Sequence, residues 1–495
     1  MPQRPNLLVI MSDQHSKHLL GCYGNSIVDT PNLDRLAREG MRFTDAYCPA
    51  PLCLPSRMSF MTSRRPSRTR CWNNEHILSS AIPTWAHALG GAGYRTALIG
   101  RMHFMGPDQR HGFEERPIGE FVARHPGAPF KGGPRWVHIP GGVSGQDRIA
   151  IETVGVGYTH YHWFDERVGE TACAWLRERA RDERDTRPFA AAVGFVLPHC
   201  PFIAPRDLYE KYYDKVDIPE MEEAHPPTMS RYRNIRRLSD PHPELTAEQV
   251  RRARAAYFAL VELFDRHIGR ILSALDDTGL ADNTLVVYTS DHGELAGEHG
   301  CWTKSCYYEG SVGVPLIARL PGAIAPGSVS GAVCNLMDIG PTLADAAGSP
   351  FEHDTDGRSL WPTMTGLHPA DWADETTSEF VDIRHRRLPS RMIRSGPWKL
   401  WAFGDEDNLP PALYNLEEDP GEMHDRSGDP SCAAIEAELL RKVHEGWDPA
   451  RAARESEAQE ADRAVIDTWG RAVLPDHEDT LPVPPPEIEA GVEIF

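Results

Sequence analysis

The sequence predicts an α/β protein with a large, mainly parallel sheet sandwiched by helices, followed by a smaller C-terminal antiparallel sheet with a helix. The first observation is a series of short, continuous apolar runs, which are typical of strands buried on both faces. The second is the alternation of these runs with amphipathic helical patterns, which favours parallel strands joined by helices. The third is a change after about residue 370 to short, closely spaced strands, which indicates a separate antiparallel sheet.

The elements of the large sheet follow one another from the N-terminus. Apolar runs predict strands at residues 6–12, 41–47, 94–99, 189–197 and 284–290, and helical periodicity predicts helices at 33–39, 85–93 and 246–275. Pro31 opens the first helix and Gly40 ends it. Residues 110–160 are rich in Gly and Pro, and we expect long loops over a site there.

The C-terminal part of the chain has a different pattern. Short strands are predicted at 391–394, 398–403 and 412–416, and a helix at 432–445. We therefore expect a large domain at 1–370, a small C-terminal subdomain at 371–450 and an extended tail at 451–495. The Pro-rich end of this tail is compatible with contacts in a homo-oligomer.

Composition and charge exclude several classes of function. A net charge of −20 without a long Lys/Arg run argues against nucleic-acid binding. No apolar stretch is long enough to span a membrane, and the run at 7–11 is too short for a secretory signal. The ten cysteines show no zinc spacing, and we expect most of them to be reduced core residues of a cytoplasmic protein.

Polar residues follow three of the predicted strands. Asp13 and Gln14 follow the first strand, His199 the fourth, and Asp291 and His292 the fifth. Ligands of open α/β sheets bind outside the carboxyl ends of the strands. A single Asp or His at such a place is often a cap or loop residue, but oxygen and imidazole groups from three strands suit a divalent cation.

A second candidate is the pentapeptide that begins at Cys53. Pro55 suits the first turn of a helix, so Cys53 would lie at a helix N-terminus, where free N–H groups favour an anion. Arg57 lies one turn further and can fold back toward residue 53. On these five residues alone, a structural cysteine before a helix is the alternative.

This Cys-x-Pro-Ser-Arg pattern resembles the modification motif of the sulfatase family, which belongs to the alkaline-phosphatase-like superfamily. Two later segments resemble family blocks in the same order: SDHGELAGEHGCWTKSCYYEGSVGVPLI at 290–317 and LYNLEEDPGE at 413–422. The likeness runs from about residue 5 to about residue 425, and implies that 1–370 is an alkaline-phosphatase-like catalytic domain.

Within the family, the chain is most similar to choline sulfatases. The stretches that carry this similarity are PSRTR at 66–70, GRMHFMGPDQRHGFEER at 100–116 and the pair Asp13-Gln14. The resemblance implies hydrolysis of an aliphatic or sugar sulfate ester to an alcohol and inorganic sulfate, with choline sulfate as one candidate substrate.

The resemblance also implies the site. Cys53 would be oxidised to formylglycine by a formylglycine-generating enzyme, and one divalent metal, Ca²⁺ or Mn²⁺, would lie beside it. The implied metal ligands are Asp13, Gln14, residue 53, Asp291 and His292. The other implied site residues are Arg57 at the formylglycine hydroxylate, Asn74 at the sulfate group, His103 near the nucleophile, and His199 and Lys304 at the sulfate and leaving oxygen.

In the implied mechanism, one hydroxyl of the formylglycine hydrate attacks sulfur and gives a covalent sulfated enzyme. The metal, Arg57 and Lys304 neutralise the substrate anion. His103 then deprotonates the second hydroxyl, and protonated His199 donates to the departing alkoxide. Arg101 replaces the lysine of relatives, and we expect it either to hold sulfate bidentately or to be tuned to another substrate geometry.

The residues that would select the alcohol are less defined. A choline cage needs aromatic and acidic groups, for which the candidates are Trp72, Trp136, Trp163, Glu379 and Asp382. The basic run at 384–387 would instead favour an anionic substrate such as a sulfated uronic-acid sugar.

Two other functions are compatible with parts of the pattern. A phosphonate monoester or phosphodiester hydrolase of the same superfamily would share the Asp-Gln and Asp-His pairs. A non-catalytic binder of sulfated glycans would have no need to keep the set of residues Cys53, Arg57, His103, His199 and Lys304.

Overall fold

The computed structural model describes residues 4–120, 149–219, 245–349, 351, 353–367, 369–383, 387–405, 408–473 and 491–495. The strands of its two larger sheets are β1 (Asn6–Asp13), β2 (Met41–Phe43), β3 (Arg95–Gly100), β4 (Glu115–Ile118), β5 (Phe189–Pro198), β6 (Thr284–Ser290), β7 (Leu316–Arg319), β8 (Ser328–Ser330), β9 (Glu375–Asp382), β10 (Leu388–Ser395), β11 (Trp398–Phe403) and β12 (Ala412–Asn415).

The longer helices are α1 (Pro31–Glu39), α2 (Cys53–Thr62), α3 (Trp85–Gly91), α4 (His160–Arg181), α5 (Arg206–Tyr213), α6 (Ala247–Thr278), α7 (Ile339–Ala346), α8 (Ala433–His444) and α9 (Pro449–Val473). Short helices lie at Lys17–Leu19, Gly21–Tyr23, Pro66–Thr69, Ile149–Glu152, Ala281–Asn283, Glu298–Gly300, Glu309–Val312, Leu336–Asp338 and Trp361–Met364. Short strands lie at Ala46–Tyr47, Gly155–Val156, Ile203–Ala204, Cys334–Asn335 and Glu493–Ile494.

The large sheet has the strand order β8-β2-β7-β6-β1-β5-β3-β4. Its strands pair in parallel, except that β7 is antiparallel to both β6 and β2. β1 lies in the middle, with Leu7 opposite Ala190 of β5 and Leu285 of β6. The predicted mainly parallel sheet is therefore confirmed.

Helices cover both faces of this sheet, as the alternating side chains of β1 show. Leu8 and Ile10 pack into a core cluster with α1, α4 and α6. Leu7, Val9 and Met11 point to the other face and pack with α2, α3 and α7. Successive side chains of a strand point to opposite faces, so a continuous apolar run is what a strand between two helical layers requires.

The long helix α6 has strong end signals in its sequence. Thr246 and Gln249 form a capping box at its start, and Gly279 ends it with a left-handed φ of 70°.

The predicted strand at 41–47 is divided in two, because a turn at Thr44 and Asp45 separates Met41–Phe43 from Ala46–Tyr47.

The C-terminal sheet is antiparallel, with its strands in the order β9-β10-β11-β12. Helix α8 packs on one face, where Leu439 and Val443 contact a cluster with Ile393 and Leu400. The other face joins the core of the large domain through Trp401 and its neighbours. This sheet and its helix were predicted, although β9 was not.

The segment 451–495 was predicted as an extended tail, but its first half is helical. Residues Pro449–Val473 form helix α9. The helix is supported by ion pairs at helical spacing, such as Arg451 to Glu455 at 2.9 Å. It also packs on the rest of the protein, because Ala452 and Ser456 are buried and Glu460 accepts from Arg387. The chain then ends in the short strand Glu493–Ile494, which pairs with Gly155–Val156.

Two further expectations concern loops and cysteines. The region 110–160 contains β4 and a short helix, while its residues 121–148 lie outside the described part of the chain. All ten cysteines are free thiols, and all but Cys22 are buried, as predicted. Among the helices that the structure describes, none has a stretch long and apolar enough to span a membrane.

A close approach of two strands positions one side of the site. Gly194 of β5 accepts a hydrogen bond from the backbone N–H of Arg101, with a distance of 2.8 Å between nitrogen and oxygen. A Cβ atom on Gly194 would lie only 1.7 Å from the carbonyl oxygen of Arg101. Only glycine therefore fits at this position without moving the end of β3.

We expect the Gly194→Ala variant to lose about 1–3 kcal/mol of unfolding free energy, because backbone must move to admit the methyl group. Activity should fall as well, since Arg101 would be displaced. Denaturant unfolding measures the first effect. The control is Gly91→Ala, where nothing lies within 4 Å of the added Cβ. Equal stability of the two variants would contradict the prediction.

Candidate active site

Four predicted ligand residues converge at the carboxyl edge of the large sheet. Asp13 ends β1, Asp291 and His292 follow β6, and Cys53 is the first residue of α2. Their ligand atoms all lie within 4.8 Å of one another, and all four side chains are buried. The convergence arises because β1 and β6 are parallel neighbours whose ends meet at the same edge.

His292 presents one ring nitrogen to this cluster. Its Nδ1 donates to the carbonyl oxygen of Gly293 at 2.9 Å, which leaves the Nε2 lone pair 3.2 Å from the Cys53 sulfur. Burial lowers the pKa of His292, so the ring is held neutral. A neutral imidazole anchored through its second nitrogen is in the state that binds metals. Together with the two carboxylates, this donor set fits a divalent cation.

Arg57 joins the two carboxylates. Its Nε donates to Asp291 at 2.7 Å and its Nη2 to Asp13 at 3.2 Å, with the whole side chain buried. Burial raises the pKa of the Asp13 carboxyl, but nearby positive charges, above all Arg101, outweigh it and hold that pKa well below its usual value. The described contacts thus place Arg57 between the carboxylates of Asp13 and Asp291, whereas the resemblance implies a contact with the formylglycine hydroxylate.

Gln14 was predicted as a metal ligand, and its side chain has two partners in the structure. Its Oε1 accepts a hydrogen bond from the Lys304 ammonium group, and its Nε2 donates to Glu294. Glu294 in turn accepts from the backbone N–H groups of Ala296 and Thr303. Gln14 therefore connects the end of β1 to the loop that carries Lys304.

Cys53 begins a helix that is buried along its full length, from Cys53 to Thr62. The Asn74 Oδ1 accepts a hydrogen bond from the backbone N–H of Leu54 at 3.0 Å. Asn74 therefore lies beside the start of α2 and satisfies one of the free N–H groups there. Its implied contact with the sulfate group stays a prediction.

Arg101 and His103 follow β3 and contact each other. The Nη2 of Arg101 lies 3.0 Å from His103 Nδ1, and its Nε donates to Asp13 at 2.6 Å. Its Nη1 pairs with Glu120, whose other oxygen accepts from the His103 backbone N–H at 2.8 Å. Burial disfavours the charge of Arg101, but Glu120 and Asp13 outweigh burial and raise its pKa well above the usual value.

His199 and Lys304 form the opposite side of the site. The His199 Nδ1 donates to the carbonyl oxygen of Cys200 at 2.5 Å, and its Nε2 lies 3.0 Å from Lys304 Nζ. Burial, followed by the charge of Lys304, lowers the pKa of His199. The imidazolium form expected from the resemblance is therefore disfavoured until a negative charge enters the site.

Backbone strain concentrates at these residues. Gln14 and His103 have φ values of 65° and 63°, and Thr303 and Ser305 on either side of Lys304 have values of 65° and 74°. A left-handed conformation costs a non-glycine residue about 1–3 kcal/mol, and such residues cluster at functional sites. The strain shows that surrounding contacts fix the direction of these side chains.

Two buried acids were not predicted. Glu120 supports Arg101 and His103, and Glu294 supports Gln14 and the Lys304 loop. Glu294 lies in the family block at 290–317, two residues after His292, which was a usable signal. Glu120 follows the short strand β4 in a region that the sequence presented only as loop.

The residues considered for substrate selection have other partners. Glu379 accepts from Arg391 at 3.0 Å and from the Ser67 backbone N–H at 2.8 Å, so it is already paired. Trp72 packs against residues of β9 and α9, and Trp163 packs against the α6 core. Arg387 makes two hydrogen bonds of 2.7 Å to Glu460 of α9. Trp136 and residues 384–386 lie outside the described residues.

Comparisons with known proteins identify the family of the chain. A model of the sulfatase family matches residues 5–349, and a model of the C-terminal region of N-sulphoglucosamine sulphohydrolase matches residues 297–447. The choline-sulfatase of Rhizobium meliloti is 36% identical over 484 residues, covering 92% of this chain and 90% of that protein. Arylsulfatase K of Danio rerio is 30% identical, covering 89% and 84%.

The fold has solved relatives as well. The phosphonate monoester hydrolase of Agrobacterium radiobacter has a TM-score of 0.72 and 27% identity, covering 89% of this chain and 95% of that chain. The sulfatase model spans well over half of the sequence, from residue 5 to residue 349. This chain therefore belongs to the sulfatase family and, as the sequence predicts, is a hydrolase of sulfuric esters.

Proposed function

We propose that this hydrolase uses residue 53, oxidised to formylglycine, as its nucleophile and one divalent cation, Ca²⁺ or Mn²⁺, beside it. The observation that carries the proposal is the buried cluster of Asp13, Cys53, Asp291 and His292. These residues would hold the cation, which when bound supplies positive charge against the anionic ester. As an aldehyde hydrate, residue 53 supplies hydroxyls that a thiol lacks, so a formylglycine-generating enzyme is the maturation partner.

The positively charged side chains of Lys304 and Arg57 supply further positive charge. Lys304 is buried beside His199 and Gln14, and Arg57 keeps both cluster carboxylates oriented. A sulfate ester that enters this site brings a negative charge, which raises the pKa of His199 and favours its protonation. Protonated His199 can then donate to the departing alkoxide, a step that matters most for poorly leaving aliphatic alcohols.

The substrate that we propose is an aliphatic or sugar sulfate ester. Choline sulfate is a candidate because a relative that covers nearly the whole chain is a choline-sulfatase. Glu379, however, is engaged by Arg391 and Ser67, which argues against it as the partner of a quaternary ammonium group. A sulfated sugar is therefore of equal interest.

The alternative is hydrolysis of phosphonate monoesters or phosphodiesters. It is supported by the structural similarity to a phosphonate monoester hydrolase. The same nucleophile and cation would serve either reaction, so the substrate preference must be measured.

We expect the enzyme, produced together with a formylglycine-generating enzyme, to have its highest kcat/KM on a sulfate ester. The panel is choline sulfate, glucosamine 6-sulfate, an aryl sulfate, a phenylphosphonate monoester and a phosphate diester. Sulfate release is measured by ion chromatography for the sulfate esters, and alcohol release is measured for the phosphonate and the diester. Cys53→Ala should lower kcat at least about 10³-fold, because the nucleophile is lost.

In the same samples, mass spectrometry of the peptide that contains residue 53 shows whether this residue is cysteine or formylglycine. The control variant is Cys22→Ser, since Cys22 is only half-buried and lies outside the site. A phosphonate or diester as the best substrate would favour the alternative function. Near-normal activity of the Cys53→Ala variant, or of an unmodified thiol form, would contradict the formylglycine proposal.

We expect one divalent ion per chain, lost on chelation and restored by Ca²⁺ or Mn²⁺. Asp291→Asn should weaken ion binding by at least about 10–100-fold, because one anionic ligand becomes neutral. Elemental analysis and the ion-dependent rise in unfolding temperature measure binding without an activity assay. The matched control is Asp282→Asn on the exposed surface. Full ion content in the Asp291→Asn protein would count against this site.

We expect kcat on an alkyl sulfate to fall as the pH rises through the pKa of His199, since its protonated form donates. Lys304 lowers that pKa by disfavouring a second positive charge. In the Lys304→Met variant, the decrease of kcat should therefore occur at a pH about one unit higher than in the native enzyme. The maximal kcat should also be lower. A fall at unchanged or lower pH would refute His199 as the acid. Lys442→Met, in the C-terminal subdomain, is the control.

A further inference from the structure

Arg101 has a partner for each of its three guanidinium nitrogens. These partners are Asp13, Glu120 and the Nδ1 of His103, and the Arg101 side chain is almost completely buried. The expected bidentate grip on sulfate would require two of these contacts to break. Arg101 is therefore suited to organise its neighbours and not to hold the substrate.

The contact between Arg101 and His103 fixes where the imidazole carries its proton. A guanidinium group only donates hydrogen bonds and does not lose its proton in proteins, so His103 Nδ1 must accept. A neutral imidazole has one N–H, which must then lie on Nε2. A doubly protonated ring would direct an N–H and a positive charge at Arg101, and both burial and Arg101 lower the pKa of His103 well below its usual value.

Glu120 holds this arrangement in place. One carboxylate oxygen pairs with Arg101 and the other accepts the His103 backbone N–H at 2.8 Å. The same residue therefore fixes the guanidinium group and the strained backbone of His103, whose φ is 63°. All three side chains are buried, so water does not compete for these hydrogen bonds.

We infer that Arg101 and Glu120 are positioning residues that hold His103 in its Nε2–H tautomer, so that His103 donates a hydrogen bond to the anionic sulfuryl group. This role differs from that of the base that the resemblance implies, and it rests on sulfate-ester hydrolysis at this site. Arg101 connects the His103 ring to Asp13 of the cluster, with contacts of 3.0 Å and 2.6 Å, which places the ring among the site residues. A fixed donor among these groups stabilises negative charge that develops on the sulfuryl oxygens.

Two substitutions of His103 distinguish a role as hydrogen-bond donor from a role as general base. The amide nitrogen of His103→Gln reaches the place of Nε2 and can donate, but a carboxamide cannot take up a proton. We expect His103→Ala to lower kcat about 10²–10³-fold and His103→Gln to stay within about tenfold of the native enzyme. If His103 is a base, both variants lose activity equally, which would overturn the inference. His424→Gln, on the surface, is the control.

The tautomer can also be observed directly, whatever the activity of the variants. The measurement is NMR spectroscopy of protein labelled with ¹⁵N-histidine. The signals of His103 are assigned as those that disappear in the His103→Gln variant. Long-range ¹H–¹⁵N correlations then show which ring nitrogen is protonated. We expect Nε2–H in the native protein and a mixture of tautomers in Arg101→Gln, because an amide can donate or accept. A native Nδ1–H form would overturn the inference.

The two proposals fail in different ways. If the proposed reaction is wrong, the native enzyme releases no sulfate while the His103 tautomer stays as inferred. If only the present inference is wrong, the native enzyme is active and His103→Gln is no better than His103→Ala. A purely structural role of Arg101 would lower the unfolding temperature of Arg101→Gln without changing the tautomer.

Discussion

Two buried carboxylates held close together are the constraint on which the site depends. Asp13 and Asp291 are fully buried, and like charges repel strongly where the dielectric constant is low. Arg57 donates to both of them, and Arg101 adds a second positive charge beside Asp13. Removal of one partner from such a buried set costs about 3–5 kcal/mol, because a charge is left uncompensated. The ends of β1, β3 and β6 and the start of α2 are thereby fixed relative to one another.

Much of this arrangement could be predicted from sequence because it depends on local signals. The apolar runs identify the central strands, and the polar residues that follow them must meet at one edge of a parallel sheet. Asp13, Asp291 and His292 were found in this way, and the structure brings them together with Cys53. Gly40 and Gly279, at the ends of α1 and α6, are equally local signals.

The rest depends on contacts between residues far apart in the chain. Nothing near Glu120 indicates that it will face Arg101, because the contact exists only once β4 lies beside β3. The inferred tautomer of His103 depends on its contact with Arg101, so the residue could be predicted from sequence and its protonated nitrogen could not. The charged and then Pro-rich sequence after residue 450 predicts an extended tail, whereas helix α9 packs through Ala452 against Trp72 and pairs through Glu460 with Arg387, which are both far away in the sequence.

The burial of α2 has a consequence for the order of events in biosynthesis. Every residue from Cys53 to Thr62 is enclosed, and the Cys53 side chain is only 1% exposed. On the proposed route to formylglycine, the oxidising enzyme cannot reach Cys53 once the helix is covered, so it must meet the chain before that part has folded. Folding speed and the abundance of the oxidising enzyme would then compete, and a fast-folding chain in a poorly supplied cell would be locked into a permanently inactive thiol form.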